Sequence, residues 1–323
     1  MIKRTICLTL LSLSMISFET SAAEPETLRV LFVGNSYTGR HNLSKVVESM
    51  AEAGQPGLDV EVTAVIYGGR RLVDHWRLGT QNIVSQYRVS PDQVKATIAK
   101  LKQTVEKTPE DKHASAGIKR QQDFLDHLDS TRHRWDAVVL QSYRDDLEGD
   151  DSLYVQYAPK FAELAHEQGA KVILYETTPG TQNKDPITQA PDAAETKAKA
   201  EVIARLANRL NASVAPMSLV ALRCQTERPD LTLRFENDAH LNHTMAYMSA
   251  CAIYSALLDR SPVGLPVDSI TDIRFFKDSE RDKDRDGEPI TRTFSAVDRA
   301  DLQRIVWQSS QEFQQLRSKL ANE

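Results

Sequence analysis

The sequence predicts an α/β fold: a parallel sheet covered by helices on both faces. Three observations lead there. Short apolar runs recur at 28–33, 58–65, 137–140, 171–175 and 213–215. The first, third and fourth are almost continuously apolar, as strands buried on both faces are. Between the runs lie segments with helical spacing of apolar residues, at 43–53, 153–168 and 193–210. Strand and helix periods that alternate in this way specify strands joined by crossover helices.

The first run, LRVLFV, passes directly into Gly34-Asn35-Ser36-Tyr37-Thr38. It predicts a buried strand that ends in a tight loop presenting one serine. Open α/β sheets place ligands at the carboxyl ends of their strands, so Ser36 stands where chemistry is expected. Ser36 could also cap the helix that follows.

The second run ends in Ile66-Tyr67-Gly68-Gly69-Arg70. Paired glycines let backbone N–H groups approach a ligand closely, although an ordinary turn uses them too. The residues Arg70, Arg71, Asp74, His75 and Trp76 read equally as a sugar or carboxylate subsite and as a solvated helix start. From about 80 to 134 the rhythm breaks. Val94, Ile98, Leu101 and Val105, then Ile118, Phe124, Leu125 and Leu128, mark two amphipathic helices in a helical insert. Pro109 and the stretch Ala114-Ser115-Ala116-Gly117 are expected to separate them.

The third run ends in Gln141-Ser142, where a side-chain amide can face the same point as Ser36. After the fifth comes the polar segment Asn237-Asp238-Ala239-His240-Leu241-Asn242, then a helix at 244–257 with a small-residue face. His240 is the best-placed base; the other histidines fall on inferred helices, helix edges or the polar insert. An extended segment at 270–276 and an amphipathic helix at 296–320 complete the chain.

The chain has 323 residues, 41% apolar and 26% charged, with a net charge of −5. Mild acidity gives no reason to expect nucleic acid or an anionic membrane as partner. No stretch reaches the roughly 18 consecutive apolar residues of a spanning helix. Lys3 and Arg4, an apolar run at 5–18 and Ser21-Ala22-Ala23 follow the order of a secretory signal with cleavage after Ala23. The mature protein is thus expected to be secreted or periplasmic. Residues 24–323 read as one domain, with the insert at about 80–134 and a C-terminal extension at about 262–323. Cys7 leaves with the signal. Cys224 and Cys251 can form one disulfide or remain two buried thiols, and spacing does not decide between them.

Serine becomes a nucleophile when a base takes its proton, and the reaction then needs donors for the developing oxyanion. Strands one, two and three each end in a group suited to acyl transfer, and the loop after strand five brings a histidine. In these blocks the chain resembles the SGNH (GDSL-like) hydrolase superfamily. The resemblance is carried by GNSYT at 34–38, GGRRLVDHW at 68–76, WDAVVLQS at 135–142 and the His240 block followed by AYMSACAIYSALL at 246–258. Within it, the chain is similar to a secreted branch whose first block reads GNSYT or GNSFT. The resemblance implies a flavodoxin-like three-layer α/β/α sandwich with a five-stranded parallel sheet. It implies Ser36 as nucleophile with its own N–H toward the oxyanion, and Gly69 as a second donor, with Gly68 the near alternative. Gln141 stands where the superfamily carries an asparagine donor, and His240 is the base.

The superfamily's acid lies three residues before the histidine, where this chain has Asn237. Three outcomes stay open: a neighbouring carboxylate, Asp238 or Glu236, serves as the acid; a Ser–His dyad operates; or the protein is slow or inactive and binds without turnover. A neighbouring carboxylate is the reading adopted. The expected activity is a secreted serine esterase that removes an acyl group, O-acetyl by the family's habit, from a carbohydrate or other small ester, without a cofactor. His240 and His243, with Asp238, could also be read as a metal cluster, but no further strong ligand group is evident by spacing. Asp282, Asp284 and Asp286, followed by Gly287, match the opening of a calcium loop. Thr293 at the twelfth position and Pro289 break the match, so a solvated charged loop is the favoured reading there.

Overall fold

A computed structural model describes residues 26–130, 132–143, 149, 151–177 and 182–323. The inferred signal at 1–23 lies outside the described residues. In chain order the elements are β1 (Glu26–Gly34), α1 (Ser36–Gly39), α2 (Leu43–Gly54), β2 (Leu58–Ile66), α3 (Leu72–Arg77), α4 (Thr80–Val84), α5 (Pro91–Lys107) and α6 (Lys112–Asp126). There follow β3 (Ala137–Gln141), α7 (Leu153–His166), β4 (Lys171–Tyr175), α8 (Ala194–Leu210), β5 (Ser213–Ala215) and α9 (Met217–Glu227). The chain closes with α10 (His243–Leu258), β6 (Ser269–Thr271), β7 (Thr291–Thr293) and α11 (Ala296–Ala321).

The five strands expected from the apolar runs form one sheet in the order β2-β1-β3-β4-β5. All its pairings are parallel, for example Val30 beside Ala137 and Val139 beside Ile173. Alternation along β1 divides the core in two. Val30 and Phe32 join α2, α9 and α10 on one face, while Leu31 and Val33 join α7 and α8 on the other. This is the three-layer α/β/α sandwich that the sequence predicts. The strand order reverses between β1 and β3, and at such a switch point the diverging loops open a crevice.

Three expectations change. Ala114–Gly117 does not separate the insert helices but lies within α6. The carboxylate of Asp111 accepts the His113 and Ala114 N–H groups and starts the helix before that stretch. Helix α9 was not anticipated, because its apolar residues continue the run of β5 and hide the boundary that Pro216 makes. The segment expected to be extended at 270–276 pairs only over β6, antiparallel to β7. From the C-terminal segment, α11 buries Leu302, Ile305 and Val306 in one core and Phe313 in the other. Cys224 and Cys251 are free and buried, so the disulfide is absent. Burial pushes the Cys224 thiol up to about 12.

Candidate active site

The carboxyl end of β1 sets the position of Ser36. Asn35, not Ser36, caps the short helix α1: its Oδ1 accepts the Tyr37 N–H at 3.1 Å. Ser36 is thereby released from the capping role and stands half-exposed at the head of the turn. Gly34 cannot carry a side chain, since a Cβ there would lie 2.5 Å from Gln141 Oε1 and Thr38 Oγ1. The loop is held from below as well. His75, fully buried, donates Nε2–H to the Gly34 carbonyl at 3.0 Å and accepts the Thr80 hydroxyl on Nδ1 at 3.0 Å. Burial drives the His75 pKa down to about 3, so the ring is neutral in this role.

The loop 233–242 brings His240 to Ser36. It is closed by Phe235 N–H to the His240 carbonyl at 3.2 Å and by Asn242 N–H to the Leu233 carbonyl at 3.3 Å. Its tip carries Glu236, Asn237, Asp238 and Ala239. His240 Nε2 lies 2.8 Å from Ser36 Oγ. Tyr37 packs edge-on against the His240 ring at 5.6 Å and donates its hydroxyl to the Ala239 carbonyl at 3.3 Å.

Asp238 Oδ1 hydrogen-bonds His240 Nδ1, and the same oxygen accepts the His240 backbone N–H at 3.0 Å. Asn237 and Glu236 are exposed, whereas Asp238 is half-buried. Of the three residues before Ala239, it is therefore Asp238 that the structure brings to the histidine.

Behind Asp238 lies a charge relay that sequence reasoning missed. Arg40 Nη1 reaches Asp238 Oδ2 at 2.8 Å. The same guanidinium grips Asp272, with Nε to Oδ2 at 3.0 Å and Nη2 to Oδ2 at 2.9 Å. Both Arg40 and Asp272 are buried, and the Arg40 guanidinium lies 4.5 Å over the Phe235 ring. Arg285 Nε adds a longer contact to Asp238 Oδ2 at 3.4 Å. Burial by itself would raise the Asp238 pKa; the His240 hydrogen bond and the Arg40 charge outweigh it and hold the carboxyl down at about 2. No local pattern marks Arg40 or Asp272, because their pairing spans the fold.

Gln141 departs from its expected role. Its Nε2 donates to Asn35 Oδ1 at 2.6 Å and to the Ser142 carbonyl at 3.1 Å, so both amide hydrogens are committed. Its Oε1 accepts the Asn35 N–H at 3.0 Å and the Thr38 hydroxyl at 2.5 Å. Gln141 therefore braces the serine loop, and its amide is not directed at an oxyanion. Of the glycine pair, Gly69 takes φ +64° at the third position of a turn closed by Arg70 N–H to the Tyr67 carbonyl. Gly68 is the member that lines the cavity beside Ser36.

That cavity, about 440 Å³, is lined by Ser36, Arg40, Gly68, Asp238 and His240, with Ile273, Arg274 and Arg285 from the C-terminal segment. Neither the insert nor the group Arg70, Arg71, Asp74, His75 and Trp76 lines it. Asp74 and Arg71 close a capping box on α3, and Trp76 packs against Phe161. The calcium-like segment is also otherwise engaged. Asp286 accepts the Glu236 and Asn237 N–H groups at 2.9 Å each, and Asp284 accepts those of Asp286 and Glu288 at 2.9 and 3.0 Å. Among the described residues no group of three or more ligating side chains is poised for a metal ion.

The sequence matches no family model and no curated protein. Solved structures do share its form. A DUF4886 family protein from Bacteroides uniformis aligns over 88% of this chain and 95% of its own, with TM-score 0.50 and 14% identity. The likeness is one of fold. A candidate SGNH hydrolase from Slackia heliotrinireducens covers 72% of this chain and 100% of its own, with TM-score 0.42 and 16% identity. A mutant of an acetyl-xylooligosaccharide esterase from Geobacillus covers 73% of this chain and 97% of its own, with TM-score 0.43 and 13% identity.

Proposed function

We propose that the protein is a serine esterase of the SGNH type, acting through an acyl-Ser36 intermediate. One observation carries the reading: Ser36 Oγ lies 2.8 Å from His240 Nε2, while the other ring nitrogen is bonded to the Asp238 carboxylate. A nucleophile, a base and an orienting acid in that order are the parts acyl transfer requires. Asp238, bonded to His240 where Asn237 is exposed and away from the ring, supports turnover over the inactive-binder reading.

In the first half-reaction Ser36 Oγ attacks the ester carbonyl carbon and its proton passes to His240 Nε2. The Asp238 carboxylate keeps Nδ1 protonated and stabilises the imidazolium. The tetrahedral oxyanion is received by the backbone N–H groups of Ser36 and of Gly68 or Gly69. The alcohol leaves with the proton from His240. Water, deprotonated by His240, then releases the acid and restores Ser36. No cofactor enters these steps. Gln141, Asn35 and His75 are positioning residues that hold the loop.

The signal-like start at residues 1–23 and the family resemblance extend the proposal to a secreted or periplasmic single-domain protein, spanning 24–323, that deacetylates a carbohydrate or other small ester. The deciding experiment incubates the protein with 4-nitrophenyl acetate and with a fluorophosphonate, beside Ser36→Ala. Turnover and labelling are expected only in the wild type. A wild type that neither turns over nor labels above the variant sinks the esterase reading.

A further inference from the structure

The cavity at Ser36 has a wall of unusual charge. Three arginines are among its lining residues: Arg40, Arg274 and Arg285. Two carboxylates stand against them. Asp272, wholly buried, is spent on Arg40. Asp238 is shared among Arg40, Arg285 and His240. The balance leaves one positive charge over. It falls on Arg274, whose guanidinium has no partner among the described residues.

Arg274 is not a loose surface arginine at its root. Its backbone N–H is held by Asp272 Oδ1 at 3.0 Å, the same carboxylate that anchors Arg40. The preceding residue, Ile273, donates its N–H to the Arg40 carbonyl at 2.9 Å. The Ile273 bond and the Asp272 carboxylate fasten the segment to Arg40, the residue that braces the acid, and the Arg274 N–H bond tightens the turn, so the backbone at Arg274 is fixed beside the cavity it lines. Ile273 is 53% exposed beside it, an apolar residue on the same cavity lining.

We infer that the preferred substrate is an ester that carries a carboxylate, which Arg274 receives while Ser36 attacks the ester carbonyl. The inference rests on the esterase reading and narrows its substrate class. A neutral ester leaves the Arg274 charge unmatched. A carboxylate completes the balance with a charge-assisted, bidentate-capable pair. The pair forms at a half-open cavity, so its contribution weakens as salt screens it.

The carboxylate can belong to the acyl part or to the alcohol part, and two matched ester pairs distinguish them. The first compares 4-nitrophenyl hydrogen succinate with 4-nitrophenyl methyl succinate. The second compares an O-acetylated glucuronic acid with its methyl ester. In at least one pair, kcat/KM for the anionic member is expected to exceed that of the neutral member by about tenfold at low salt, and this ratio falls as salt is added. Arg274→Gln brings the ratio to about one, and Arg274→Lys retains part of it. Equal rates within both pairs overturn the inference while leaving the esterase reading intact. A ratio unchanged in Arg274→Gln overturns it too. Wild type that turns over 4-nitrophenyl acetate but none of the four esters overturns the inference alone, whereas failure on the acetate and the fluorophosphonate as well strikes the esterase reading and the inference with it.

Discussion

Asp272 and Arg40, 232 residues apart in the chain, form a buried pair in which one carboxylate grips both Nε and Nη2 of the guanidinium. The free edge of that guanidinium reaches Asp238. A buried pair of this kind is a weak source of net stability but a strong constraint, because removing one partner strands the other charge. Arg40→Met is expected to cost roughly 3–5 kcal/mol in urea unfolding. Arg40→Met combined with Asp272→Leu should recover much of that loss. A single variant as stable as wild type would show that the pair carries no strain of burial.

Asp238 and Asn237 are adjacent, and only Asp238 touches His240. Asp238→Asn is expected to lower kcat on the order of 10³–10⁴-fold, through loss of the correct ring tautomer. Asn237→Asp should change kcat little, since the side chain at 237 is exposed. Steady-state rates with an aryl acetate decide the matter, and a large gain from Asn237→Asp would return the acid to that position.

Stability tests the bracing role of Gln141 against that of an oxyanion donor. As a brace, its loss strands the Asn35 N–H, the Asn35 Oδ1 and the Thr38 hydroxyl. Gln141→Leu then costs about 1–3 kcal/mol in unfolding and lowers kcat as Ser36 loses its seat. As a donor to the oxyanion, the same change would lower kcat and leave stability alone.

Glu176 follows β4 and is fully buried, with Ser218 donating N–H and hydroxyl to it. Burial raises its pKa from 4.5 to about 7, partly offset by the Ser218 hydrogen bonds. The folded state therefore binds this proton more tightly than the unfolded chain does. The corresponding stability is full below about pH 4.5 and is lost as pH rises through about 7, a change of roughly 3 kcal/mol. Chemical denaturation at pH 5 and pH 8 should show Glu176→Gln gaining on wild type by that order at the higher pH. Parallel pH profiles for the two proteins would contradict it.

Asp286 caps two N–H groups at the tip of the His240 loop. A chelator is accordingly expected to leave the melting temperature unmoved, while Asp286→Ala loosens the loop and lowers kcat more than it lowers Tm. A chelator-induced fall in Tm would instead make 282–287 a cation loop.

The parts of the site that sit at strand ends were legible in the sequence. An apolar run followed by Gly34-Asn35-Ser36 specifies a strand and a tight turn through local chemistry alone, and His240 stands out in a polar loop before a helix. What was hidden depends on direction. Gln141 is in its expected place, yet the orientation of its amide is set by Asn35 and Ser142, which no spacing reveals. The carboxylates of Glu236 and Asp238 are equivalent on paper; the closure of the 233–242 loop selects the one that faces the ring. Nothing in the sequence singles out Arg40 and Asp272, because their burial is created by the docking of distant segments. Helix α9 was lost for a simpler reason: an apolar strand and an apolar helix in succession differ only at Pro216.

The contribution of Asp272 and Asp286 has a consequence in time. All five strands of the main sheet are complete once Ala215 has been added to the growing chain, and His240 follows soon after. Yet the anchor of Arg40 and the clamp on the 236–237 backbone are synthesised only later. A nascent polypeptide can thus finish its sheet while its charge system is still unassembled, and the hydroxyl at Ser36 gains its full complement of supports only once residues 272–286 have followed.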